Sequence, residues 1–178
     1  MTAIEEILAK VATRAADSGR RTDYDPPPQQ PRPLTDSSIL TKLEKDLCFQ
    51  LPDLLKRLYL EVGDGGFGPG YGMFGAKSGH HLSDEPFTLA EIYHTIHNGD
   101  WPDMLVPICD WGCIIWSCID CSHENYPVVM VFWDWTDPET GMDCHGYLPE
   151  GIEFREWIEA WAVGVDLWER FRRATKKV

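Results

Sequence analysis

The chain has 178 residues, a formal net charge of −13, eight tryptophans and six cysteines. That length suits one domain with one sizeable core, and such aromatic content fills it without metal or disulfide staples. The acidity speaks against nucleic-acid binding, which relies on Lys and Arg displacing counterions from phosphate. No stretch reaches the roughly 18 apolar residues that cross a bilayer. The N-terminal run "MTAIEEILAKVATRAADSGRR" spreads its charges and lacks an apolar secretory core, so a cytoplasmic location is expected.

In chain order, residues 2–17 read as a helix, with Ile4, Ile7, Leu8 and Val11 at helical spacing. The next stretch, "DYDPPPQQPRPLTDSS", has five prolines, which cannot continue a helix and favour extended polyproline structure. It reads as a connector, with a docking motif for an aromatic groove as the alternative. A second helix is predicted from about Ser38 to Cys48. Pro52 suits the first turn of a third, because its missing N–H is no loss there. Leu51, Leu54, Leu55, Leu58, Tyr59 and Val62 form one apolar face of this helix, and Gly63 reads as its C-cap.

The glycines that follow, "GDGGFG", have the spacing G-x-G-x-x-G of dinucleotide-binding folds. That fingerprint needs a strand before it and a helix after it, so that the helix N-terminus meets phosphate. Here a helix precedes, while Pro69, Gly70 and Gly72 follow. The glycines are expected to serve a sharp turn with positive φ, after which "FGPGYGMFG" passes close over the core.

Further on, Thr88–Asn98 reads as a short helix, capped by Thr88 or by Ser83. Residues 103–109 and 113–120 read as strands about a turn or bulge at Gly112, and 128–135 as a nearly continuous apolar strand. "CSHENYP" and "DPETG" read as turns and "MDCHGYL" as a last strand, so the strands form an antiparallel meander. From Gly151 onward a long amphipathic helix carries Phe154, Trp157, Ile158 and Trp161 and, beyond Gly164, Leu167, Trp168 and Phe171. The predicted class is α+β: a central, mainly antiparallel sheet with flanking helices in a single domain.

No catalytic set stands out. Cys109, Cys113, Cys118, Cys121 and His123 suggest zinc at first sight, but only "CIDC" has ligand spacing, and strand alternation puts Cys118 and Cys121 on opposite faces. Reduced, mostly buried thiols are expected, with no metal, no cofactor and no enzymatic activity. The charge distribution is more telling. Between Lys77 and Arg155 there is no Lys or Arg but 14 Asp or Glu, whereas five basic residues crowd the last nine positions. Such a surface favours a basic protein partner and fast, salt-sensitive association. Asp110, Asp134 and Asp137, with Asp120, Glu124 and Glu139, are the candidate rim acids at strand ends. Trp111 and Trp135 are the candidate aromatic anchors between them. A monomer that engages neither nucleic acid nor membrane is expected.

Three ordered segments, "LPDLLKRLYLEVGDGGFGPGYGMFG", "VPICDWGCIIWSCIDCS" and "IEFREWIEAWAVGVDLWE", resemble the signature of the SUKH superfamily, from about Ile39 to Glu169. This divides the chain into a helix and Pro-rich connector (1–38), a SUKH-like domain (39–169) and a basic tail (170–178). The resemblance implies an α+β fold and a binding role. Bacterial members of the family commonly neutralise a polymorphic toxin, often a nuclease; a regulatory or scaffold module without a toxin is the alternative. The matching positions Leu51, Pro52, Gly65, Gly66, Gly68 and Trp157 carry structural roles under this resemblance.

Overall fold

In the computed structural model, residues 2–17, 31–77, 87–97, 101–136 and 143–175 are described, with backbone alone for 133–136, 143–145 and 175. Helix α1 (Ala3–Ala16) starts at a capping box: Thr2 Oγ1 accepts from Glu5 N–H, and the Glu5 carboxylate accepts from Thr2 N–H. Its buried face is Ile7, Leu8, Val11 and Ala15. Helix α2 (Ser37–Leu47) begins where the Asp36 carboxylate accepts from the N–H groups of Ser38 and Ile39. It ends at Cys48, in the left-handed conformation with φ 65°.

Helix α3 (Asp53–Glu61) buries Leu54, Leu55, Leu58 and Tyr59. Pro52 stands one residue earlier than expected, at the N-cap, and both Leu51 and Pro52 are buried. Gly63 is not the left-handed C-cap that the sequence suggested: Val62 holds the C-cap in right-handed conformation. A Cβ on Gly63 would lie 2.7 Å from Pro31 Cβ and 3.0 Å from the Arg32 carbonyl oxygen. Glycine is required here so that the end of the Pro-rich connector can lie against α3.

Strand β1 (Gly72–Met73) is an edge strand in the segment expected only to pass over the core. Helix α4 (Leu89–Ile96) follows a second capping box, between Thr88 and Glu91. Four longer strands come next: β2 (Leu105–Gly112), β3 (Ile115–Asp120), β4 (Pro127–Thr136) and β5 (Asp143–Glu153). They form one antiparallel sheet in the order β1-β2-β3-β4-β5, which is the expected meander.

The single long C-terminal helix is corrected to two, α5 (Phe154–Ala162) and α6 (Leu167–Thr175). Residues 151–153 belong to β5, and the break falls at Gly164, whose φ is 89°. The Asp166 carboxylate then restarts the chain by accepting from Glu169 N–H at 2.8 Å. α1 packs against α5, with the Arg14 guanidinium 5.7 Å from the Trp161 ring centre. Trp157 of α5 is fully buried.

Among the described thiols, Cys109, Cys118 and Cys121 are buried, and burial pushes the Cys121 thiol up to about 12. Cys121 lies in the turn after β3, so both cysteines of "CIDC" face inward instead of dividing between faces. Cys48 and Cys113 are the exceptions among the described thiols and are exposed at turns. Among the described residues no three His, Cys, Asp or Glu side chains gather as metal ligands, and no helix is long and apolar enough to cross a membrane.

Candidate functional site

The glycine loop between α3 and β1 turns its polar groups inward. Gly65 and Gly66 have φ of 75° and 73°, and Gly68 has 116°. Gly66 N–H donates to Met73 O at 3.0 Å, and Gly65 N–H to Gly63 O at 2.9 Å. Asp64 is fully buried, and its carboxylate accepts from Ala76 N–H at 2.7 Å and Lys77 N–H at 3.0 Å. A phosphate cradle needs free N–H groups and a positive field. Here the N–H groups of Gly63, Asp64, Gly65 and Gly66 are spent on the chain itself, and a carboxylate sits inside the loop. Sequence reading passed over Asp64; its signal was an acid set between two glycines at the end of an apolar helix.

Under the second half of this loop lies Trp111, half-buried near the end of β2. A Cβ on Gly70 would lie 2.9 Å from the Trp111 ring, so the glycine allows loop and indole to touch. On its other side Trp111 meets Trp168 of α6, with ring centres 5.5 Å apart. Its Nε1–H donates to Ser117 Oγ at 2.8 Å, and Ser117 donates to Glu150 Oε1 at 2.6 Å. Glu150 Oε2 accepts from Trp157 Nε1–H at 3.1 Å. This chain of hydrogen bonds ties β2, β3, β5 and α5 together through a buried carboxyl. Burial pushes the Glu150 carboxyl up to about 7, against the opposing pull of its two hydrogen bonds and of Arg170. Nothing in the sequence marks this role, because Glu150 stands between the predicted last strand and the helix predicted from Gly151 onward, where an acid reads as a connecting residue.

Asp110, expected in solvent at a rim, is buried with 5% exposure. Its Oδ1 accepts from Gly112 N–H at 2.7 Å and so shapes the end of β2, next to Trp111. Asp134 and Trp135 lie on β4, where Trp135 pairs with Cys144 of β5; their side chains lie outside the described set, as does the whole of Asp137. The register gathers some candidates and separates others. Ile115 opens β3 opposite Phe132, and β4 continues past it to Thr136, so Trp111, Asp134 and Trp135 share one end of the sheet. Asp120 and Glu124 belong to the other end, about 17 Å away at the usual rise of a strand.

Ser122, His123 and Asp120 come together in that far turn, but they make no relay. Ser122 Oγ and Asp120 Oδ2 both meet the same ring nitrogen, His123 Nδ1, whereas a triad uses one nitrogen for each.

An antiparallel meander flanked by helices, with an indole held on a hydrogen-bonded base, defines an α+β domain. The SMI1 / KNR4 family (SUKH-1) model matches residues 33–160, and the chain belongs to that family, which is in general one of non-enzymatic binding modules. The match leaves out α1 and α6, although both bury apolar side chains. No curated protein and no solved structure matches.

Proposed function

We propose that this chain is an immunity-type protein that binds and blocks a basic toxin domain. The observation that carries the reading is the gathering of Trp111 with the positions of Asp134 and Trp135 at one sheet end, within a stretch free of Lys and Arg from Ser78 to Phe154. Asp110 acts from inside by fixing the turn beside Trp111, while Asp134 and Asp137 supply charge. A charged rim raises the association rate, and a desolvated aromatic anchor slows dissociation.

The test is binding and neutralisation of the basic C-terminal domain of a secreted protein encoded beside this chain's gene. Association should slow markedly as ionic strength passes about 0.1 M, where the Debye length is about 10 Å. Asp134→Asn with Asp137→Asn should lower the on-rate and leave the fold intact. Failure of the wild-type chain to bind or neutralise such a domain would remove the toxin reading and favour a regulatory interaction module of the same family.

A further inference from the structure

The β2–β3 hairpin closes over two residues, Cys113 and Ile114, between the paired Gly112 and Ile115. Their φ values are 50° and 60°. Two-residue hairpin loops of this kind select Asn-Gly or Asp-Gly, since both central residues adopt positive φ. Here the positions hold Cys and a β-branched Ile, for which such a backbone is a genuine outlier. Cys48, Cys113, Ile114, Met104 and Tyr126 are the non-glycine residues with positive φ among the described residues, and Ile114 alone of them is β-branched. Burial does not offset the strain, because Ile114 is 50% exposed.

Strained residues persist where the surroundings over-determine them, and they cluster at contact sites. The base of this hairpin is held on several sides. A Cβ on Gly112 would lie 2.6 Å from the Tyr71 ring, Asp110 binds Gly112 N–H, and Trp111 is fixed by Ser117 and Trp168. An exposed apolar tip on a rigid base arrives at a partner already ordered, which lowers the entropy lost on docking.

We infer that the Cys113–Ile114 tip is an apolar anchor that enters a pocket on a basic protein partner. Charge selects that occupant: a second copy carries the same −13 and repels, and nucleic acid repels as well. The inference rests on the proposed function and names the contact within it.

The test compares wild type with Cys113→Asn/Ile114→Gly, which installs the preferred turn, and with Ile114→Asn, which removes the apolar tip alone. Thermal melting and titration against the purified basic domain named above are the readouts. The double variant should melt several degrees higher. Both variants should bind at least about tenfold more weakly, through faster dissociation, with the salt dependence of association unchanged. Wild-type affinity in both variants would overturn the anchor and leave the immunity reading standing. No binding by the wild-type chain would overturn both. A lower melting temperature for the double variant would show that the tip is unstrained, and a wild-type dimer abolished by Ile114→Asn would make a second copy the occupant; either result overturns the inference.

Discussion

Two turns of this molecule make the same demand on the backbone and meet it differently. In the loop between α3 and β1 the left-handed positions are glycines, the turn is buried, and Asp64 closes it with two hydrogen bonds. In the hairpin between β2 and β3 the left-handed positions after Gly112 are Cys113 and Ile114, and both are exposed. Where the chain needed only a stable turn, it has the residue with least strain. At Ile114 it keeps an apolar side chain despite the strain, so the side chain itself is what that position provides. The first turn is architecture, and the second is the surface on which the proposed contact rests.

The comparison breaks most easily at Gly65. A side chain there would meet Met73 O at 2.6 Å and Gly75 N at 2.7 Å, at a φ of +75°. Gly65→Val combines roughly 1–3 kcal/mol of backbone strain with roughly 1–3 kcal/mol of overpacking. Urea unfolding should therefore show a loss of about 4 kcal/mol. A loss under about 1 kcal/mol would mean that the loop yields, and the contrast between a rigid glycine turn and a strained hairpin would go.

Glu150, beneath the hairpin, gives the next largest effect. Its carboxyl is raised to about 7 in the folded chain, against about 4.3 when unfolded. The folded state therefore holds the proton more tightly, and stability falls as pH rises from about 4.3 to about 7, then levels off. The groups that face it are Ser117 on β3, Trp157 on α5 and Arg170 on α6, with the buried Cys109 and Cys118 thiols close enough to feel its charge. Glu150→Gln keeps the shape and removes the titration. It should match wild type near pH 4 and exceed it by roughly 3–4 kcal/mol at pH 8, with the difference in urea midpoints as the readout. An equal difference at both pH values would mean that Glu150 is ionised throughout.

Much of the fold was legible, because its signals are local. Helices α1, α2 and α3 lie near their expected limits, since apolar spacing and capping residues are read from neighbours in the chain. The meander followed from short strands and turn residues. Glu150 was not legible, for its burial depends on Ser117, 33 positions away, and on Trp157 packing over the sheet. Asp110 was misread as a rim acid because a carboxylate binding a backbone N–H two residues on looks, in sequence, like any acid at a strand end. Asp120 and Glu124 were grouped with Trp111 by sequence proximity, and the register sets them at the opposite end of the sheet. The break at Gly164 was visible as a residue, but the apolar pattern continued past it and masked the change of direction.

The smallest predicted effect isolates the β-branch of Ile114. Cys48 offers a reference: it is also exposed and left-handed, with φ 65° and ψ 17°, at the C-cap of α2, where glycine is the usual residue. A left-handed L-residue costs roughly 1–2 kcal/mol, and glycine gives back roughly 0.5–1 kcal/mol through the freedom it loses on folding. Cys48→Gly should therefore stabilise by about 0.5–1 kcal/mol. Ile114→Gly should gain more, about 1–2 kcal/mol, because a branched Cβ crowds the backbone further and half of its side chain is in water, with little packing to lose. The difference between the two midpoint shifts in urea, measured on the same background, is the extra strain that the hairpin stores. If Cys48→Gly gains as much as Ile114→Gly, that extra strain is nil and the hairpin is an ordinary turn.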